Sequence, residues 1–196
     1  LIVVEQTAIL TAAISALIFL SVDSQVVAVI FGEKWLSIIK VIPGLLVFSY
    51  FRIINSSLFS MLVAKGRPDI NAKVNLQIAP IAVGSFIIGA NLGGIVGVSL
   101  AVAIVLGIGW TVYWWWVACR SLGWSFPKFI APCFTPILLI IPGLIIAINL
   151  PLLVRPFAFI LAYGIGIRIF QPNIFFQYHR KLNQLIRRFG KFYFHR

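Results

Sequence analysis

The chain has 196 residues, of which 61% are hydrophobic and only 10% are charged, and its mean hydropathy is +1.06. Soluble domains carry roughly 25% charged residues, so this composition excludes a soluble globular domain and indicates an integral membrane protein. The net charge of +12 does not indicate a nucleic-acid partner. The basic residues concentrate at the ends of apolar segments and in the C-terminal tail, which is the pattern expected from membrane topology.

The apolar segments predict an all-α, polytopic membrane protein, because about 20 apolar residues cross a bilayer core of about 30 Å. Residues 1–170 are predicted to form a six-helix transmembrane bundle, and residues 171–196 a basic, amphipathic cytoplasmic tail. The predicted spans are 1–20, 38–62, 74–90, 95–118, 129–148 and 157–170. The chain does not begin with methionine, and we expect it to be a fragment of a longer protein.

The loops alternate in charge. Loops 65–73 and 120–128 and the tail hold most of the Lys and Arg residues, whereas the connections between them hold few. The positive-inside rule therefore predicts that these loops, the tail and both ends of the segment are cytoplasmic. In the tail, apolar residues from Tyr178 to Phe189 share one helical face and basic residues the other, which predicts a surface helix that binds anionic membrane lipids.

Two features of the third and fourth spans concern packing. The turn 91–94 is predicted to link the two spans, and small residues at every fourth position, Gly93, Gly97 and Ala101, favour close helix approach. The aromatic run at the end of the fourth span is predicted to form a belt at the headgroup level; it comprises Trp110, Tyr113, Trp114, Trp115 and Trp116.

A single arginine lies deep in the second predicted span. Arg52 is about 3 Å along the axis from the midpoint of residues 38–62, on the order of 12 Å from the nearest interface. Exposure to lipid at that depth would cost from roughly 3 to over 10 kcal/mol. Ser49, Ser56 and Ser60 recur at helical spacing on the same face. This face predicts either a solute path or a buried contact of Arg52 with backbone carbonyls, Asn55 or Glu5.

The residues that carry catalytic or metal chemistry are scarce. The chain has four acidic residues in total, no phosphate-binding glycine loop and two histidines, both in the tail. We therefore expect no catalytic site, no metal site and no cofactor, and a protein that is not an enzyme.

Several motifs resemble the C-terminal half of bacterial polysaccharide flippases, in the polysaccharide branch of the multidrug/oligosaccharidyl-lipid/polysaccharide exporter superfamily. They are FGEKW at 31–35, AKGRPD at 64–69, the turn and glycine ridge at 91–101, and the end of the last span with QPNIFFQYHRKLNQLIRRF after it. The resemblance covers most of the chain. It implies a multi-pass protein of the bacterial inner membrane, with two six-helix bundles around a central cavity, of which the N-terminal bundle is missing here.

The function that the resemblance implies is translocation of a lipid-linked oligosaccharide across the cytoplasmic membrane by alternating access. Arg52 would then bind the lipid phosphates through paired hydrogen bonds. Ser49, Asn55, Ser56 and Ser60 would add polar contacts. A drug/cation antiporter of the same superfamily and a membrane scaffold subunit of a polysaccharide-assembly complex are the alternatives. An antiporter would need intramembrane acids, of which Glu5 is the one candidate.

Overall fold

A computed structural model of the chain describes residues 2–170, and each regular element in this range is a helix. The predicted tail helix at 171–196 lies outside the described residues. In chain order the elements are α1 (Ile2–Ser21), α2 (Ser24–Phe31), a 3-10 helix (Glu33–Lys40), α3 (Ile42–Ala64), α4 (Asp69–Ala101), a π-helix (Val102–Gly109), α5 (Trp110–Leu122), α6 (Phe126–Ile148) and α7 (Arg155–Phe170).

Four helical stretches in the described range are long and apolar enough to cross a membrane: Val3–Ser21, Ile42–Ala64, Asp69–Leu122 and Phe126–Ile148. The all-helical membrane fold is thereby confirmed. The third stretch has 54 residues. A straight helix of that length would measure about 80 Å, more than twice the thickness of a hydrocarbon core. The third stretch must therefore fold back on itself if it lies within one bilayer.

It folds back at the two glycines of the predicted turn. Gly93 and Gly94 have non-helical backbone angles, and Gly94 has a φ of 56°, which glycine adopts without a steric penalty. A Cβ atom placed on Gly89 would lie 2.6 Å from the carbonyl oxygen of Gly97, on the other side of the break. Farther away, the hydroxyl of Tyr113 donates a 2.9 Å hydrogen bond to Gln77. These paired contacts show two antiparallel arms: the first arm is residues 69–92, and the second arm is residues 95–122, which continue from α4 through the π-helix and α5.

The second arm runs parallel to α3. Later residues of α3 contact later residues of that arm. They join Gly44 to Ser99, Phe48 to Gly107, and Asn55 to Thr111 and Trp115. Near the first of these contacts, the Ser99 hydroxyl donates a 2.7 Å hydrogen bond to the carbonyl of Val41. Parallel packing of α3 and this arm requires an intervening chain reversal, which the first arm of α4 supplies.

The start of the second span differs from the prediction. Residues 38–40 belong to the 3-10 helix, and α3 begins at Ile42 rather than at Ile38. Pro43 in the first turn accounts for this boundary. Proline has no amide hydrogen and a fixed φ, both of which suit the start of an α-helix and not its interior.

The aromatic residues of the predicted belt divide between the core and the surface. Trp110, Trp114 and Trp115 are buried in the core, whereas Tyr113 and Trp116 are exposed. The guanidinium of Arg120 lies 5.6 Å from the centre of the Trp116 ring. The exposed pair thus keeps the amphipathic character expected of interfacial residues, and the buried tryptophans join α5 to its neighbours.

The contact between the two arms of α4 gives a stability prediction with a matched control. Gly89→Ala should lower the melting temperature of the purified chain in lipid nanodiscs, because the new methyl group would overlap the backbone at Gly97. Gly84 lies in the same arm with no atom near its missing Cβ. Gly84→Ala should raise stability by up to about 1 kcal/mol through helix propensity. Equal shifts in the same direction would contradict the hairpin.

Candidate functional site

The polar face predicted for the second span is exposed on α3. Arg52, Ser49, Ser56 and Ser60 all lie at the surface of the described chain. The opposite face of α3 carries the buried residues, which are Gly44, Tyr50, Phe51, Ile54, Asn55, Leu58 and Leu62. The helix therefore separates a packed apolar side from a side that presents one guanidinium and three hydroxyl groups.

Arg52 lies even nearer the middle of its helix than the sequence indicated. The midpoint of Ile42–Ala64 is Ile53, so Arg52 is roughly 15 to 18 Å from the two helix ends. That distance exceeds the reach of an arginine side chain toward an interface. Among the hydrogen bonds and ion pairs within residues 2–170, none involves Arg52. The predicted buried contact with Asn55, Glu5 or carbonyl oxygens is therefore absent from the described part of the chain.

The hydroxyl groups along this face keep acceptor capacity. Ser56 donates to the carbonyl of Ile53 at 2.7 Å, and Ser60 donates to the carbonyl of Ser56 at 3.0 Å. Each hydroxyl oxygen still has lone pairs that can accept from a hydroxyl-bearing ligand or from water. The face can therefore bind an anion through Arg52 and neutral polar groups through the serines.

Asn55 lies apart from the other four candidate residues. Its side chain is buried, its Nδ2 donates to Thr111 Oγ1 at 3.0 Å, and its Oδ1 accepts from Trp115 Nε1 at 2.6 Å. These two bonds join α3 to α5. The sequence analysis predicted that Asn55 and the serines add polar contacts along the same side of the helix, but the polar atoms of Asn55 point into the bundle.

Other side chains anchor the same buried face, and the sequence reasoning did not identify them. The Tyr50 hydroxyl donates to the carbonyl of Cys133 in α6. The Phe51 ring lies 5.8 Å from that of Trp115 and 5.9 Å from that of Phe134. Because Tyr50 and Phe51 lie directly before Arg52, these contacts fix the rotation of α3 about its axis. The position of Arg52 is thus set by packing on the opposite side.

A cavity of about 420 Å³ lies between α1, α3 and α6, and Arg52 is not among its lining residues. Its lining is almost wholly apolar and includes Ala12, Val47 and Ile137. The polar face of α3 therefore does not line this cavity. Within residues 2–170, no three His, Cys, Asp or Glu side chains converge as they would around a metal ion.

The bond between Asn55 and Trp115 predicts a loss of stability on mutation. Asn55→Leu should destabilise the folded chain by about 1 to 3 kcal/mol, because the buried Trp115 N–H would lose its acceptor. Ser49→Ala changes an exposed residue of the same helix and should shift stability by less than about 0.5 kcal/mol. Thermal unfolding of both variants in nanodiscs tests this. A melting temperature of Asn55→Leu equal to that of Ser49→Ala would show that the bond is dispensable.

Comparison with known proteins identifies a relative. A stretch of 134 residues, 68% of this chain, is 30% identical to the lipopolysaccharide biosynthesis protein WzxC of Escherichia coli strain K12. The match spans 27% of that protein's length. No family model matches the chain, and no solved structure gives a significant match. The similarity to WzxC confirms the resemblance found in the motifs and favours a transporter over an enzyme. The chain is therefore similar to a lipopolysaccharide biosynthesis protein, which agrees with its resemblance to the bacterial polysaccharide flippases.

Proposed function

We propose that this chain is one six-helix half of a transporter that moves a lipid-linked oligosaccharide across the bacterial cytoplasmic membrane. The observation that carries the proposal is Arg52. It is a charge at mid-depth in an apolar helix, exposed on the surface of the described chain and without a partner within it. Lipid cannot cover such a group without a cost from roughly 3 to over 10 kcal/mol. Water, an anion or a second protein surface must do so.

We propose six crossings for this half, two of them from the hairpin and one from α7, a 16-residue helix that is not among the four long stretches. If each arm of α4 and its continuation crosses once, the described helices give α1, α3, the two arms, α6 and α7 as six spans. The contacts of α3 with the second arm support this count, because parallel packing fits two spans separated by one crossing. The charge of the loops then orients the 65–73 and 120–128 loops and the C-terminal tail toward the cytoplasm.

A second bundle facing α3 would enclose Arg52 in a central cavity. The side of this cavity formed by α3 would be polar, because it carries Arg52, Ser49, Ser56 and Ser60. The cavity would hold water at the depth where contact of Arg52 with lipid is costly. Intramembrane arginines in proteins almost always face a bundle interior or a water-filled cavity. The proposed architecture therefore gives Arg52 an environment that the chain by itself does not.

The substrate class follows from the chemistry of this face. Guanidinium groups bind phosphate oxygens through two parallel hydrogen bonds, and a lipid-linked oligosaccharide carries phosphate between its lipid and its sugar. Serine hydroxyls bond readily to sugar hydroxyls, since each can donate and accept. We assign phosphate binding to Arg52 and sugar contacts to Ser49, Ser56 and Ser60. Asn55 supports them by holding α3 in place.

Transport would then proceed by alternating access, in which the two bundles rock about a central binding site. With the tail side open, the cytoplasmic leaflet supplies the lipid-linked sugar, and Arg52 holds its phosphate at mid-depth. Closing that side and opening the other delivers the sugar to the outer leaflet. Arg52 lowers the free energy of the phosphate inside the membrane, which is the step that lipid alone opposes most strongly.

The two alternative functions have less support. A cation-coupled antiporter needs acidic residues within its spans. Glu5 lies in the first turn of α1, and Asp69 begins α4, so neither is at mid-depth in its helix. A scaffold subunit would need no exposed charge at the position of Arg52.

Arg52 variants test the proposed role directly. In the complete transporter reconstituted in proteoliposomes, Arg52→Ala should abolish translocation of a lipid-linked oligosaccharide while the protein stays folded. Arg52→Lys keeps the charge but loses the planar pair of donors, so it should translocate slowly. Arg67→Ala, which removes one positive charge from an exposed loop, is the matched control and should translocate normally. Wild-type translocation by Arg52→Ala would refute the assignment.

The topology can be checked separately. Cysteines introduced at Lys65 and Asn91 should react with a membrane-impermeant thiol reagent from opposite sides, because one crossing separates them. The native thiols Cys119 and Cys133 are buried, so the unsubstituted chain should take up little label. Labelling of both positions from one side would contradict the six-span arrangement.

A further inference from the structure

The connection between α1 and α3 exposes large apolar side chains. Val29 is 86% exposed, Phe31 is 63% exposed and Trp35 is 49% exposed. Ile30 and Leu36 are also exposed, whereas Val27 is the buried contact of α2. An apolar surface of this kind in water would favour association with other apolar surfaces. Its placement in the fold indicates what covers it.

Both ends of this connection enter candidate membrane spans. α1 ends at Ser21 and α3 begins at Ile42, and the two helices pack against each other within the bundle. The connection therefore starts and finishes at the same end of the bundle, where the spans meet the headgroup layer. Two short helices fill it, α2 and the 3-10 helix, which contact each other.

The local sequence keeps α2 short and turns the chain. Asp23 caps the start of α2 by accepting a 2.6 Å hydrogen bond from the Ser24 amide. Gly32, with a φ of 91°, lies between α2 and the 3-10 helix and caps both. The apolar residues 29–31 lie immediately before this turn, and Trp35 and Leu36 lie immediately after it. Both helices thus carry exposed apolar side chains close to the turn.

The 3-10 helix is amphipathic, and its polar side chains recur at every third residue. Side chains three residues apart lie in one row along such a helix. One row consists of Lys34, Ser37 and Lys40. The second row consists of Trp35 and Ile38. The third row consists of Glu33, Leu36 and Ile39, so both rows are mainly apolar. At about 2.0 Å per residue, the two lysines are roughly 12 Å apart along the helix. Within residues 2–170, neither lysine has an ion-pair partner.

We propose that residues 24–40 form an interfacial platform that lies in the headgroup layer and binds anionic phospholipid. Val29, Ile30, Phe31, Trp35 and Leu36 enter the acyl boundary, and Lys34 and Lys40 bind lipid phosphates. Tryptophan favours this depth in membranes, and lysines near the surface are attracted to anionic lipids. The platform fixes the height of α1 and α3 in the bilayer. The proposal rests on residues 24–40 alone and does not depend on the transport activity or on the direction of transport.

Site-directed spin labelling of the full chain tests the platform. Single cysteines at Val29, Phe31 and Ser37 carry a nitroxide in nanodiscs of phosphatidylethanolamine and phosphatidylglycerol. Molecular oxygen concentrates in the acyl region, whereas a neutral nickel chelate stays in water. The ratio of oxygen to nickel accessibility should be several-fold higher at Val29 and Phe31 than at Ser37, which belongs to the polar row and is the matched control.

The other outcomes overturn the proposal. High nickel accessibility at Val29 and Phe31 would place the surface in water. Low accessibility to both reagents would place it against protein. The lysines are tested with the Phe31 label: the pair Lys34→Glu and Lys40→Glu should lower the accessibility ratio severalfold, and the pair Lys34→Arg and Lys40→Arg should preserve it. An unchanged ratio in the glutamate pair would show that phosphate binding by the lysines is not part of the platform.

Discussion

The hydrogen bond from Trp115 to Asn55 is the interaction on which the orientation of α3 depends. Successive helical residues are rotated by about 100°, so burying Asn55 against α5 directs Ser49, Ser56 and Ser60 away from the core. The contacts of Tyr50 and Phe51 with α6 favour the same rotation of α3 about its axis. Inside a membrane the Trp115 N–H has no water to bond with, and loss of its acceptor would leave a buried polar group unpaired. The exposed polar face is therefore a consequence of the buried one.

Close backbone approach allows this bond to form. Gly107 brings the π-helix against Phe48, where a Cβ would lie 3.3 Å from the Phe48 Cα, and Gly44 allows a similar approach of Ser99. Apolar burial provides little drive between helices in lipid, so such contacts depend on van der Waals packing of small residues and on interhelical hydrogen bonds. The Gly89–Gly97 contact brings the arms of α4 together by the same means.

The sequence predicted those features that depend on local chemistry. Two adjacent glycines predicted the break at 93–94, hydropathy predicted helical spans, and helical spacing predicted that Arg52 and three serines share a face. It did not predict which tryptophans are buried, because lipid-facing and core-facing positions of a span are equally apolar and periodicity carries little signal. Nor did the sequence predict the burial of Asn55, since its partners Thr111 and Trp115 lie more than 50 residues away along the chain.

The exposed surfaces of residues 2–170 fall into two chemical classes, and their difference is the reason for proposing a second bundle. Apolar side chains such as Ile14, Leu138 and Ile165 suit contact with lipid. The face around Arg52 does not, because a guanidinium exposed to lipid at mid-depth is costly. The matched region spans 27% of WzxC. A second bundle placed against α3 would cover the charged face and leave the lipid-compatible faces outward, so one arrangement satisfies both classes of surface.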